Sequence, residues 1–180
     1  MVFDSDMRAN PNFLLKTLEV MADSSLSLVL TPQAFHNINI LSDLFNSNNR
    51  QFWEYWLPGA AAWGYVACTG TNFMIRAASL ASCGWFPVST ITEDYALGME
   101  LKKRGHKATY LMEYLSVGEA PEAPRQVFQQ RSRWTKGHYQ VRGHHREHSI
   151  SLFLSSPPVL PSRSSSLLQI HSSALACLSR

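Results

Sequence analysis

Apolar residues recur along this chain with two different periods, which predict a mixture of strands and helices. Residues 26–30 alternate between apolar and polar positions as a strand does, and 107–112 form a second strand after a segment of helical periodicity. Shorter strands are expected at 2–4 and 72–76. Strands that alternate with helices predict an α/β fold, with helices on both faces of a mixed sheet.

Helical spacing of apolar residues accounts for most of the segments between these strands. Asn10 followed by Pro11 is a typical helix opening, because proline fits the first helical position. The stretch 59–71 is rich in Gly and Ala and has the composition of a loop. The predicted helices cover 10–23, 38–56, 77–81, 93–104 and a stretch that begins at Pro124.

The most clearly delimited of these helices begins with the sequence Thr-Glu-Asp. Thr92 carries the hydroxyl of an N-cap residue. Glu93 and Asp94 place carboxylates in the first turn, where the helix dipole favours negative charge. Gly105 follows three basic residues and marks the end of the helix. Taken alone, this pattern is typical of a capped surface helix, so a catalytic role depends on the motifs that accompany it.

Composition sets limits on the class of protein. A chain of 180 residues is long enough for one domain with a substantial core. The formal net charge of +3 is too small to indicate nucleic-acid binding, although basic residues crowd 125–146, where they could face phosphates, a diphosphate ligand or an anionic membrane. The three cysteines lack a Cys-x-x-Cys pair and fit reduced thiols. The sequence shows no signal peptide and no apolar run long enough to span a membrane.

The character of the sequence changes near residue 149. The last part of the chain is mostly Ser, Leu and Pro with hardly any charge, so we expect a domain over 1–148 and a disordered tail over 149–180. His144, His145 and His148 precede this tail with the spacing of a metal-binding helix face. No carboxylate or cysteine nearby completes such a set, so a zinc site is disfavoured.

Two aspartates near the start of the chain are candidate metal ligands. Asp4 and Asp6 flank a serine at the predicted carboxyl end of a strand, where ligands bind in open α/β sheets. Carboxylates one residue apart can share a hard divalent ion and leave its other positions to water and phosphate oxygens. Asp-Ser-Asp also forms Asx-type turns readily, so the residues alone leave both interpretations open.

A second candidate site is the sequence Gln-Arg-Ser-Arg-Trp at 130–134. Trp134 offers a flat face for the C–H groups of a pyranose ring, and Gln130 can bond to sugar hydroxyls. Arg133 offers a charge-assisted fork for phosphate. An amphipathic helix with a buried tryptophan and solvated arginines explains the same residues equally well.

Five motifs in order resemble those of a known enzyme family. They are Val-Phe-Asp-Ser-Asp, Thr-Pro-Gln-Ala-Phe, Cys-Thr-Gly-Thr-Asn, Ile-Thr-Glu-Asp and Gln-Gln-Arg-Ser-Arg-Trp. Together they resemble the processive family-2 glycosyltransferases, and within that family the cellulose synthase catalytic subunits most of all. The likeness covers 2–141. It implies a GT-A-like nucleotide-sugar transferase fold that is incomplete at its N-terminal side, because the family's uridine-binding strands do not precede residue 1.

The resemblance implies a role for each matching residue. It implies inverting transfer of glucose from UDP-glucose to the 4-hydroxyl of a growing β-1,4-glucan, with Asp94 as the general base. Asp4 and Asp6 would hold Mg²⁺ or Mn²⁺ against the donor diphosphate, which Arg133 would also face. The residues implied to contact the acceptor are Gln130, Trp134, Cys68, Thr69 and Gly70.

The resemblance also implies partners and a location. These are a UDP-sugar, a growing glucan chain and a synthase complex at the cytoplasmic face of the plasma membrane, reached through flanking segments, with the chain itself inactive as a fragment. One alternative is another polymer of the same family, such as chitin, hyaluronan, mannan or mixed-linkage glucan. The others are a non-catalytic module that binds glucan or a partner, and a fragment that never folds stably.

Overall fold

The computed structural model describes residues 1–38 and 43–144, and for 142–144 it describes the backbone alone. The predicted boundary at 148, the predicted tail over 149–180, and His145 and His148 lie outside the described residues.

The centre of the fold is a three-stranded mixed sheet of order β3-β2-β4. The middle strand, β2 (Leu26–Leu30), runs parallel to β4 (Lys107–Tyr110) and antiparallel to β3 (Phe73–Ile75). Val2 adds one bridge to the outer edge of β3. Four of the five residues of β2 are buried, which explains why its apolar pattern was clear in the sequence.

Helices and a second small sheet complete the α/β fold predicted from the sequence. A π-helical segment, Phe52–Trp56, runs directly into α2. Among the described residues, no helix combines the length and the apolar character needed to cross a bilayer. The helices are α1 (Phe13–Met21), α2 (Leu57–Ala62), α3 (Ala77–Ser82), α4 (Glu93–Lys103) and α5 (Pro124–His144).

The single helix predicted over 38–56 is wrong for 43–49, whereas 50–56 is helical. Asp43 instead accepts hydrogen bonds from the amides of Ser47 and Asn48, at 2.8 and 2.9 Å, which closes a loop. Asn46 and Asn49 have positive φ, a conformation that a helix does not allow. Helical structure therefore begins only after this Asn-rich loop, and it continues into the first residues of the stretch 59–71 that was predicted to be a loop.

The beginning of the chain also differs from its prediction. The strand predicted over 2–4 is reduced to the single bridge of Val2, and a turn follows at residues 5–6. Directly after it, β1 (Met7–Ala9) pairs antiparallel with β5 (Ser116–Gly118). Neither three-residue strand is long enough to give a period in the sequence. Asn10 is not the N-cap, because its side chain accepts from the amide of Asn12 and the helix begins one residue after that.

The hydrophobic core lies between the sheet and the helices α2 and α4. Leu28 and Leu30 of β2 pack there with Leu57 of α2 and with Leu97 and Leu101 of α4, and all five are almost completely buried. Burial of these side chains holds α4 against the sheet, because each removes on the order of 1.5–3 kcal/mol of apolar hydration cost from the folded state. The first turn of α4 is thereby fixed relative to the sheet.

Candidate active site

The acidic turn at the start of the chain is attached to the loop that precedes β3. The amide of Val2 donates to the carbonyl of Phe73 at 2.9 Å, and the amide of Asp4 donates to the hydroxyl of Thr71 at 2.9 Å. Thr71 is itself buried, and its hydroxyl bonds to the side chain of Asn72. Asp4 is therefore held next to 68–72, the sequence Cys-Thr-Gly-Thr-Asn.

Asp94 lies in the first turn of α4 and faces the same loop. Gly70 has a φ of +84°, and a Cβ on it would lie 3.1 Å from Asp94 Oδ2. A second close approach occurs one turn further along the helix, where a Cβ on Gly98 would lie 3.1 Å from the amide nitrogen of Cys68. Glycines on both sides of this contact allow the helix and the loop to meet almost backbone to backbone.

The carboxylates of the two motifs are close enough to influence each other. Burial raises the pKa of Asp4, and the negative charges of Asp6, Asp94 and Glu93 raise it further. Arg133, from α5, acts in the opposite direction and lowers the pKa of Asp4. The acidic turn, the first turn of α4 and one arginine of α5 therefore share one electrostatic environment.

Asp94 is the more deeply buried of the two central aspartates. Burial is the largest cause of its raised pKa, and the charge of Glu93 adds to it. The amides of Tyr95 and of Asp94 itself, at the helix N-terminus, lower the pKa, as does His138. Like-charge repulsion from Glu93 thus raises the pKa of Asp94, but removal from water raises it more.

The helix α5 approaches α4 through an aromatic pair. The rings of Tyr95 and His138 have centroids 4.5 Å apart, at an angle of 49°. Trp134 lies one helical turn before His138 and is 43% exposed. Gln130, one turn earlier still, is half-buried, and neither its side chain nor that of Trp134 hydrogen-bonds to another described residue. The tryptophan is therefore not the buried anchor of an amphipathic helix.

The structure thus brings some of the predicted site residues together and leaves others apart. Asp4, Asp94, Gly70 and Arg133 are joined by contacts or by mutual electrostatic effects. Gln130 and Trp134 lie on the same helix as Arg133, but no hydrogen bond among the described residues joins them to the carboxylates, and Asp6 enters through its charge on Asp4. The structure brings Asp94 and the acidic turn together, and it leaves these two α5 side chains at least partly open to solvent.

The loop residues Cys68 and Thr69 differ in what they can offer a ligand. Cys68 is 2% exposed, and burial, with a contribution from Asp94, raises the pKa of its thiol to about 12. It is therefore a neutral packing residue. The hydroxyl of Thr69 is buried without a hydrogen-bond partner among the described residues. A buried hydroxyl without a partner carries a desolvation cost, which a ligand oxygen can relieve.

The donor set for a metal ion is small. Among residues 1–38 and 43–144, no group of three or more His, Cys, Asp or Glu side chains has the geometry to hold a metal. Two carboxylates are nevertheless enough for Mg²⁺ or Mn²⁺ when phosphate oxygens and water supply the other positions. The mutual repulsion that raises the pKa of Asp4 is also what a divalent cation would relieve. Asp4 and Asp6 therefore fit such an ion.

Sequence reasoning missed three residues that the structure places at the site. Thr71 anchors Asp4, and the pair of Tyr95 and His138 joins the two helices. His138 does follow Gln130 and Trp134 at helical spacing, and this was the available signal. For Thr71 and Tyr95 nothing local distinguished them from other polar or aromatic residues, because their partners are distant in sequence.

The sequence of this chain is similar to those of known proteins. The family described as Glycosyl transferase family group 2 matches residues 1–178. A UDP-forming cellulose synthase catalytic subunit of Dictyostelium discoideum is 32% identical, over 78% of this chain and 14% of that protein. Putative cellulose synthase 2 of Komagataeibacter xylinus is 29% identical, over 78% of this chain and 10% of that protein.

A third relative carries a different name. Probable glucomannan 4-beta-mannosyltransferase 7 of Oryza sativa subsp. japonica is 26% identical, over 76% of this chain and 24% of that protein. The chain thus spans a quarter or less of the length of these relatives. The match over nearly the whole chain nevertheless settles the family, and the mixed α/β architecture is consistent with its GT-A-like fold. This chain belongs to the family-2 glycosyltransferases.

Proposed function

We propose that the chain forms part of an enzyme that transfers glucose from UDP-glucose to the 4-hydroxyl of a growing β-1,4-glucan. The observation that carries this proposal is the placement of Asp94 at the N-terminus of α4, against Gly70 and within the electrostatic environment of Asp4 and Arg133. The cellulose synthases among its relatives support the choice of sugar and linkage.

Asp94 would act as the general base. In the inverting reaction the acceptor oxygen attacks the anomeric carbon, the bond between that carbon and UDP breaks, and the proton of the acceptor hydroxyl passes to a carboxylate. Burial raises the pKa of Asp94 and thus its proton affinity. A stronger base takes the proton more readily from a sugar hydroxyl, provided that it remains ionised at the working pH.

The donor would lie over the acidic turn. Family-2 glycosyltransferases generally use a divalent metal ion. We propose that Asp4 and Asp6 hold Mg²⁺ or Mn²⁺, which would neutralise charge on the departing diphosphate. Arg133 would bond to the same diphosphate from the other side, as its influence on Asp4 suggests.

The acceptor would lie along the exposed part of α5. Trp134 presents an open ring face on which a terminal sugar can stack, and Gln130 can bond to its hydroxyls. In the loop at 68–70, the hydroxyl of Thr69 supplies a buried polar atom without a partner among the described residues, while Cys68 and Gly70 shape the wall. These assignments follow the resemblance, and exposure and chemistry support them.

The test is glucosyl transfer by the enzyme of which this chain is proposed to form part, because the resemblance implies that the chain is inactive alone. UDP-glucose with a labelled sugar, Mg²⁺ and a soluble cello-oligosaccharide should give a lengthened oligosaccharide, and Asp94→Asn should lower the rate by about a hundredfold or more, the scale of general-base catalysis. Asp23→Asn is the matched control, because Asp23 caps the turn after α1 through Oδ1, which asparagine retains. Equal rates in the two variants would contradict the assignment of the base.

Two other functions would give different results in this assay. The glucomannan mannosyltransferase among the relatives favours mannose as a second candidate donor sugar, so nucleotide-activated mannose should be tested in the same assay. A purely glucan-binding chain would bind cello-oligosaccharide with unchanged affinity after Asp94→Asn and transfer no sugar in either form.

Membrane attachment and assembly into a synthase complex remain part of the proposal. Both rest on the resemblance, and the segments that would provide them lie outside the described residues. Sedimentation of the chain with vesicles, with and without candidate partner subunits, would test them directly.

A further inference from the structure

The N-terminus of α4 meets α5 where α5 has a glycine. A Cβ on Gly137 would lie 2.9 Å from Thr92 Cβ and 2.5 Å from Thr92 Oγ1. Rotation of the Thr92 side chain could move its oxygen, but not its Cβ, so no rotamer makes room for a larger residue. Both Thr92 and Gly137 are buried. The two helices therefore approach more closely here than any residue other than glycine at 137 would allow.

Polar contacts join the same two elements next to this point. Gln140 Oε1, one turn along α5, accepts a hydrogen bond from the amide of Ile91 at 3.2 Å. The hydroxyl of Thr90 lies 3.4 Å from the same oxygen and accepts from the amide of Thr92 at 3.2 Å. The segment 90–92, which ends two residues before Asp94, is thus fixed to α5 by close packing and by hydrogen bonds.

We propose that Gly137 and Gln140 are positioning residues, which set the distance between Asp94 and the part of α5 that holds the acceptor sugar. The inference rests on the proposed function and adds residues to it. Asp94 belongs to the first turn of α4, and Gln130 and Trp134 belong to the same continuous helix as Gly137. A change in spacing at 137 therefore moves the base relative to the acceptor.

The chemistry provides a readout that a loss of folding alone would not produce. In transfer, the acceptor oxygen bonds to the anomeric carbon as the bond to UDP breaks, and the hydroxyl proton passes to Asp94. Water can replace the acceptor, and the products are then free glucose and UDP. Water does not bind to Gln130 and Trp134, and a displaced Arg133 lowers the rates of hydrolysis and transfer alike. A misplaced α5 therefore lowers transfer more than hydrolysis.

The first variant is Gly137→Ala, compared with Gly59→Ala. Both glycines lie inside helices, where alanine is the better helix former. Gly59 has no neighbour within 4 Å, so only the substitution at 137 crowds another element. We expect the ratio of transfer to UDP-glucose hydrolysis to fall by about tenfold or more in Gly137→Ala, and to stay at the unsubstituted value in Gly59→Ala.

The second variant removes the polar contacts without adding bulk. Gln140→Leu should lower the same ratio in the same direction, while Gln129→Leu, at an exposed position of α5, should not. If Gly137→Ala does not fold, Gln140→Leu decides the question by itself. Thr92→Ala in the Gly137→Ala background removes the two movable atoms nearest to the new methyl group, so it should restore part of the thermal stability lost.

The outcomes separate this inference from the function on which it rests. No glucosyl transfer by the unsubstituted enzyme would contradict the proposed function and this inference with it. Transfer by the unsubstituted enzyme, with an unchanged ratio in folded Gly137→Ala and in Gln140→Leu, would contradict the positioning role alone. Parallel loss of transfer and hydrolysis in both variants would show a structural role only and would also overturn the inference.

Discussion

The two sides of the proposed cleft are built in opposite ways. On the carboxylate side, Asp94 is half-buried, and α4 is held by core leucines and by contacts with the loop at 68–70. On the side proposed for the acceptor, residues 131–136 of α5 are all exposed, and among the described side chains of α5 after them only Gly137 and Val141 are buried.

This difference separates two physical demands. A general base must keep a fixed position and a tuned proton affinity, and both require burial and rigid packing. A surface that receives successive sugars must remain open, so its side chains cannot be used for packing. The core therefore determines the stability of the first side, while the exposed stretch of α5 on the second side stays open to a ligand.

Truncation in the packed helix should have the largest effect on stability. Leu97→Ala removes a side chain that is 0% exposed in the core, and we expect it to lower the free energy of unfolding by about 2–5 kcal/mol. Phe128→Ala, in α5, removes a larger side chain that is 70% exposed, and we expect a change within about 0.5 kcal/mol. Urea unfolding of both variants measures the contrast. Equal losses would show that α5 packs more extensively than its exposure indicates.

An intermediate effect is expected at Gly70. Alanine there must adopt a φ of +84°, which costs about 1–2 kcal/mol of stability, and its methyl group would press against Asp94 Oδ2. Gly105→Ala is the matched control, because Gly105 has a φ of +77° and nothing within 4 Å of the added Cβ. Both variants should lose similar stability in thermal unfolding, but only Gly70→Ala should also lower glucosyl transfer. An equal decrease in transfer for both would contradict the contact between Gly70 and the base.

The sequence predicted the buried central strand and the helix packed on it better than it predicted the loops and the short strands. The strand 26–30 and the helix that begins at Glu93 are confirmed, although the hydroxyl of Thr92 caps no amide of that helix. The helix predicted over 38–56 is wrong for 43–49, because the side chain of Asp43 closes a loop that periodicity does not register. The strands β1 and β5 could not be predicted, since each depends on a partner more than 100 residues away.

The residues of the candidate site could be predicted from the sequence to different degrees, because some of them depend on contacts between distant segments. Asp4, Asp94, Gln130 and Trp134 were found because their motifs resemble those of a known family, and their roles remain predictions. The contacts that place Asp4, through Thr71, and Asp94, through Gly70 and Gly137, arise only when loops and helices dock. The large contribution of burial to the pKa of Asp94 likewise needs the folded structure.

The smallest effect concerns the cost of keeping Asp94 charged. Because its pKa is raised in the folded protein, the folded state binds a proton more tightly than the unfolded state at pH values between the ordinary aspartate value of 3.8 and the raised one. Stability therefore falls as pH rises through this window, and the full penalty is present above it.

Asp94→Asn removes the charge, so the variant should melt at a higher temperature than the unsubstituted chain at neutral pH, and the difference should vanish as pH falls towards 3.8. Thermal unfolding of both forms across this pH range measures the effect. In the control variant Asp23→Asn the melting temperature should change in the opposite direction, because the pKa of Asp23 is lowered in the folded protein. A lower melting temperature for Asp94→Asn at neutral pH would contradict this prediction. It would show that the amides at the start of α4 stabilise the carboxylate more than burial destabilises it.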